Sequence, residues 1–129
     1  MLFRSKKRIV EITKFAQSIT FIQGDGFQVI RENLQNPQAL FFIDPPYTAD
    51  GKKAGTRLYK YSEINHRELF ELASQVRGDF LMTYDNAEGV KALAQEYGFD
   101  THIIPMKNTH NAKMTELLIG RTLDWARAF

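Results

Sequence analysis

Apolar positions along this chain follow two rhythms. Between Arg4 and Gln17 they fall at Ile9, Ile12, Phe15 and Ala16 with charges between them, the spacing of one helical face. Ser18 to Gln23 (SITFIQ) is short and rich in β-branched and aromatic residues, which predicts a strand ending at Gly24-Asp25-Gly26. Phe27 to Leu34 predicts a short helix that Asn36-Pro37 stops. Ala39 to Ile43 is an unbroken apolar run, as in a strand buried on both faces. A polar, glycine-containing loop follows from Asp50 to Tyr61. Ser62-Glu63-Ile64-Asn65 then offers a cap for a helix carrying Leu69, Phe70, Leu72, Ala73 and Val76 on one face, and Gly78 ends it. Asp79 to Tyr84 reads as a third strand, and Asn86 to Tyr97 as a helix closed by Gly98. Phe99 to Ile104 and Met114 to Ile119 read as the last two strands, joined by the polar Met106 to Lys113.

Strands that alternate with helices imply right-handed crossovers and a largely parallel sheet. The last two predicted strands have no helix between them, so that pair should be antiparallel. The expected fold class is therefore α/β: a three-layer, Rossmann-like sheet, mostly parallel with an antiparallel C-terminal strand, in one domain over residues 1–129. Ligands in such sheets bind at the carboxyl ends of the strands. Three polar exits fall there: Gly24-Asp25-Gly26, Asp44-Pro45-Pro46-Tyr47 and Tyr84-Asp85-Asn86.

Composition narrows the chemistry. The 129 residues carry no cysteine, which excludes disulfides, thiolate zinc sites and cysteine nucleophiles. Mean hydropathy is −0.36, no apolar run reaches membrane-spanning length, and no export signal is visible, which reads as a cytoplasmic protein. His66, His102 and His110 lack ligand spacing, so no metal is expected, and His66 reads as an exposed helix residue. The net charge of +2 permits a nucleic-acid partner without demanding one. Arg4-Ser5-Lys6-Lys7-Arg8 reads as a solvated helix face more readily than as a phosphate track. Lys52, Lys53 and Arg57 interleave with Tyr59 and Tyr61, a composition that suits extruded or single-stranded nucleic acid and equally an ordinary polar loop. Tyr84-Asp85-Asn86 reads as a helix N-cap or as part of a pocket, and Trp125 as a packing anchor.

Asp44-Pro45-Pro46-Tyr47 carries most of the chemistry. Proline keeps the residue before it out of the helical region, so Asp44 and Pro45 are both held extended, and neither proline donates a hydrogen bond. A carboxylate and stiffly aimed carbonyls thus stand beside an aromatic plate. A planar amine fits them, donating its two N–H groups while its ring stacks on Tyr47. Acceptors on both hydrogens favour pyramidalisation and localise a lone pair that is otherwise delocalised into the ring, and positioning supplies much of the rest. Chance occurrence of the tetrapeptide in a chain of this size is on the order of one in a thousand or less.

With that tetrapeptide the sequence resembles the Dam-like DNA adenine-N6 methyltransferases. Tyr59 and Tyr61, His66-Arg67-Glu68-Leu69, Met82-Thr83-Tyr84-Asp85-Asn86 and Lys113 to Ile119 are similar to that family's pattern, over about Thr20 to Gly120. The resemblance implies S-adenosyl-L-methionine as methyl donor and DNA with a flipped adenine as substrate. It implies Asp44, Pro45 and Pro46 on the amine, and Tyr47 stacked on the base. Asp25, Gly26 and Phe27, with Asp44, would lie along the donor, and Tyr59 and Tyr61 would close over the base beside Lys52, Lys53, Arg57 and Asn86. The chain departs from the pattern in its glycine-rich donor loop, in the acidic residue for the donor ribose and in the DNA-recognition insert, none of which is matched. It therefore resembles the C-terminal portion of such an enzyme, expected to need a missing N-terminal half or an oligomeric partner. A non-catalytic remnant or nucleic-acid-binding module, or a methyltransferase for an amine in RNA or protein, stands as the alternative.

Overall fold

Alternation in β2 (Asp79–Asp85) sets the plan of the molecule, because Phe80, Met82 and Tyr84 are buried while the residues between them are not. A computed structural model describes residues 2–47, 64–107 and 113–128. The elements, in chain order, are α1 (Leu2–Thr13), a 3-10 turn (Ala16–Ser18), α2 (Gly26–Glu32), β1 (Leu40–Ile43), α3 (His66–Gln75), β2, α4 (Glu88–Glu96), β3 (Asp100–Lys107), β4 (Lys113–Gly120) and α5 (Asp124–Arg127).

Among the described residues, four strands run in the order β1-β2-β4-β3. β1 and β2 are parallel, and β4 runs antiparallel to both β2 and β3. The expected reversal of the last strand is present. β4 sits between β2 and β3, so two of the three strand pairs among the described residues are antiparallel, and the sheet is mixed rather than mostly parallel as expected. It is an open sheet. Helices α2, α3 and α4 share one core with it, in which Ile30, Phe70, Ala73, Val90 and Ala94 meet Phe80, Met82, Tyr84, Leu117 and Ile119. Asn65 caps α3, its side chain accepting the amide of Glu68. Ion pairs from Arg31 to Glu68 and from Arg67 to Glu96 stitch the three helices together. They are exposed and contribute little beside the apolar core.

Several expectations need correction. Ser18 to Gln23 forms no strand: it pairs with none among the described residues, and Ile19, Phe21 and Ile22 stand exposed. A β-prone sequence without a partner cannot satisfy its N–H and C=O groups as a strand does. The run from Leu40 to Ile43 is a strand, but not one buried on both faces. It lies at the sheet edge, with Leu40 75% and Phe42 68% exposed while Phe41 and Ile43 pack against the core. Trp125 is half-exposed, and the buried anchor of the C-terminal segment is Leu123. The residue flanking α4 is Ala87, which makes no side-chain cap hydrogen bond of its own. Gly98, at φ 68°, does close that helix in the left-handed conformation that glycine favours. Gly78 lies beyond the end of α3 and serves β1 instead: a Cβ there would stand 1.9 Å from the carbonyl oxygen of Ala39.

The C-terminal segment is tied down electrostatically. Arg127 forks onto Asp100, whose second oxygen accepts the Leu123 amide at 2.8 Å. Arg127 hydrogen bonding, opposed by desolvation and helped by that amide, holds the Asp100 carboxyl at about 2, down from 3.8. A depressed carboxyl stabilises the fold fully above its ordinary value and loses that contribution as pH falls through its folded value. The stability difference between wild type and Arg127→Gln, measured by urea unfolding, should be full at pH 5 and shrink steadily between about pH 4 and pH 2. The pair is solvent-exposed, so 1 M salt should reduce the difference as well.

Candidate active site at the end of β1

The parallel register places Ile43 opposite Met82, so the next residues, Asp44 and Thr83, fall side by side. By the two-residue alternation of strands, they share the face of Phe42 and Leu81, opposite the helices. Thr83 Oγ1 donates to Asp44 Oδ1 at 2.7 Å, and the Tyr47 hydroxyl donates to the same oxygen at 3.2 Å. Asp44 is exposed, while Pro45, Pro46 and Tyr47 are half-buried.

Tyr47 is backed by a second ring. It stacks on Tyr84 with centroids 6.1 Å apart and planes 21° off parallel. Tyr84 is wholly buried, edges against His66 at 5.6 Å and packs against Phe70 at 5.7 Å. Its hydroxyl lies 2.9 Å from His66 Nδ1. Burial pushes the Tyr47 phenol up to about 12, with the charges of Asp44 and Glu116 adding and the Thr83 hydrogen bond opposing. Burial raises Tyr84 as well, followed by the charges around it. Both phenols therefore stay protonated near neutral pH, and Tyr47 remains a donor to the carboxylate. His66, expected on an exposed helix surface, is instead half-buried at the start of α3 and faces this ring pair.

Two of the three predicted sheet-edge exits come together. Asp44 to Tyr47 and the end of β2 touch through the Thr83 hydrogen bond and the Tyr84 stack. Asn86 spans to β4, its amide Nδ2 donating to Thr115 Oγ1 at 3.2 Å, while its Oδ1 is buried without a hydrogen-bond partner among the described residues. The third exit stands apart. Asp25 caps α2, its Oδ1 accepting the Phe27 amide at 2.9 Å. Gly26 opens that helix beside open space, and Phe27 packs against the core. Among the described residues no hydrogen bond or ring contact joins these three to Asp44 or Tyr47.

Asp25 accepts the Phe27 amide through Oδ1 as the cap of α2, and Ile19, Phe21 and Ile22 before it stand exposed. Lys52, Lys53, Arg57, Tyr59, Tyr61 and His110 lie outside the described residues. Among the described residues no cluster could hold a metal ion, and no helix is long and apolar enough to cross a membrane. Ser5, Lys6, Lys7 and Arg8 stand exposed on α1, where Lys7, Arg8, Glu11 and Ile12 line a groove.

The sequence points to Tyr84 only as part of a possible pocket with Asp85 and Asn86, and it does not single out Thr83 or His66 as site residues. A signal for Thr83 was nevertheless present. Once two adjacent parallel strands are assigned, the first residue past one of them and its lateral neighbour share a face. His66 carried no such signal, because α3 packs on the sheet at an angle that only the core determines.

No curated protein matches the chain. The model of the D12 class N6 adenine-specific DNA methyltransferase family, however, matches residues 2–111. That span includes the tetrapeptide, the Thr83 contact and the His66–Tyr84 pair. By that match over most of its length, the chain belongs to the D12 class of adenine-specific DNA methyltransferases.

Proposed function

We propose that this chain supplies the acceptor-base pocket of an S-adenosylmethionine-dependent adenine-N6 DNA methyltransferase, with Asp44, Pro45, Pro46 and Tyr47 as its catalytic residues. The observation that carries the reading is the placement of this tetrapeptide at the carboxyl end of β1 against the end of β2, in a member of an adenine-specific family. The Asp44 carboxylate and the carbonyls of the proline segment accept the two N–H groups of the base amine. That pairing pyramidalises the amine and localises its lone pair. Tyr47, supported from behind by Tyr84, is the plate for the extruded base. Asn86 adds a buried acceptor at the same sheet edge, while Lys52, Lys53, Arg57, Tyr59 and Tyr61 are proposed to meet DNA from the loop after Tyr47.

S-adenosylmethionine supplies the methyl group in this family's reaction. Asp25, Gly26 and Phe27 are proposed to line only part of its site with Asp44, so we assign the chain's own work to binding and orienting the amine. The donor pocket is proposed to be completed by a further polypeptide, an N-terminal half or a partner chain that extends the sheet beyond β1. The exposed Leu40 and Phe42 on the edge strand support this, as do the exposed Ile9, Ile12, Phe15 and Phe21 of the N-terminal segment. With such a partner, a full three-layer fold is expected.

The test is methyl transfer to adenine-containing duplex DNA with radiolabelled donor. The purified chain alone should transfer nothing and should give no donor-binding heat in calorimetry. Adding a polypeptide that carries the family's glycine-rich strand should restore transfer. Donor binding together with transfer by the chain alone would overturn the partner requirement.

A further inference from the structure

If Asp44 receives the base amine, its carboxylate must present a free oxygen in a fixed direction, although the residue is exposed. An exposed aspartate left to itself samples several rotamers, and each misdirected one weakens capture of the amine. Here both neighbouring hydroxyls, Thr83 at 2.7 Å and Tyr47 at 3.2 Å, donate to Oδ1. Among the described residues no donor reaches Oδ2.

We propose that Thr83 is the positioning residue of this site: its hydroxyl pins Oδ1 of Asp44 and thereby aims Oδ2 at the N–H of the base amine. The inference rests on the acceptor role proposed for Asp44. Thr83 suits the task better than Tyr47 for two reasons. It makes the shorter bond, and it sits on a strand hydrogen-bonded on both sides, with β1 beside Met82 and with Leu118 of β4 as its own partner. Its β-branched side chain also has a restricted χ1, so the hydroxyl arrives already oriented. Tyr47 is the second pin, held in place by Tyr84 and, through the Tyr84 hydroxyl, by His66. The arrangement selects for a ligand with an N–H to give. An adenine amine satisfies Oδ2, whereas a dimethylated amine leaves that oxygen without its donor.

The full chain, labelled with ¹⁵N, is titrated with adenosine and with N6,N6-dimethyladenosine, and binding is followed by shifts of its amide resonances. Wild type should prefer adenosine. Thr83→Val keeps the shape and removes the hydroxyl, so it should lose that preference by about tenfold, the scale of one charge-assisted hydrogen bond. Thr83→Ser should restore it, which a merely structural role of the threonine would not require. Should valine disturb the resonances of β2, Thr83→Ala serves in its place. If wild type shows no preference, the acceptor reading of Asp44 falls, and this inference falls with it. If wild type discriminates and Thr83→Val discriminates equally, or if serine fails to restore a lost preference, the positioning role alone is overturned.

Discussion

Replacing Asp44 by alanine should reduce methyl transfer by the reconstituted enzyme by about 10³-fold while leaving the fold intact. Removing one preorganised group that stabilises the reacting centre typically costs 10²–10³ in rate. In the role proposed for it Asp44 also orients the amine, so the upper end of that range is expected. The structural cost should be small, because Asp44 is exposed and its loss leaves the Thr83 and Tyr47 hydroxyls free to turn to water. Surface changes of this kind usually stay within about 0.5 kcal/mol. Asp44→Asn should fall between the two, since the amide keeps one acceptor oxygen and presents a donor where the amine needs a second acceptor. Single-turnover transfer to duplex DNA, with urea unfolding beside it, separates chemistry from stability. An Asp44→Ala enzyme that retains transfer within tenfold of wild type would remove the aspartate from the mechanism.

Gly78→Ala should be among the most destabilising single-methyl changes available to this fold, at about 3 kcal/mol. The added Cβ would stand 1.9 Å from the carbonyl oxygen of Ala39 and 2.9 Å from its carbonyl carbon, with the carbonyl of Asn36 at 3.1 Å. These are backbone atoms that no rotamer change can move. Overpacking a close-packed region ordinarily costs 1–3 kcal/mol, and a backbone clash lies at the top of that range. The contact is also where the parallel pair begins, since the Asp79 amide donates to Ala39 at 3.0 Å and the Arg77 amide to Leu34 at 2.8 Å. Relieving the clash therefore means pushing β1 away from β2, which would carry Asp44 away from Thr83. A lower urea midpoint should appear together with a loss of adenosine binding. Gly26→Ala is the matched control, because a Cβ there meets nothing within 4 Å and the residue begins a helix, so stability should hold or rise slightly. Equal midpoints for Gly78→Ala and Gly26→Ala would refute the close approach.

The two predictions concern different links between sequence and site. The tetrapeptide was legible because its chemistry is local: two prolines stiffen their own backbone, and a carboxylate beside them needs no distant partner to be recognised. Helix α3 was legible for a related reason, its apolar face repeating at helical spacing within a few turns, and α2 and α4 by the local stop signals Asn36-Pro37 and Gly98. Strands were harder. SITFIQ and ALFFI are both β-prone, yet only the second is a strand, because only the second finds a neighbour in β2. Strand pairing joins residues far apart in sequence, as Asp44 and Thr83 are, and no local pattern encodes it.

What the sequence by itself determined is the α/β alternation, the reversed last strand and the stiff tetrapeptide proposed to meet a planar amine, since each follows from periodicity, from the lack of a crossover helix or from the covalent stiffness of proline. Tertiary structure alone decided that β1 lies at an open edge, that Gly78 must be a glycine, and that Thr83, Tyr84 and His66 support Asp44 and Tyr47. The physical reason is common to all three. Each depends on which distant backbone or ring comes within van der Waals or hydrogen-bond reach, and only the packed sheet and its helices set those distances.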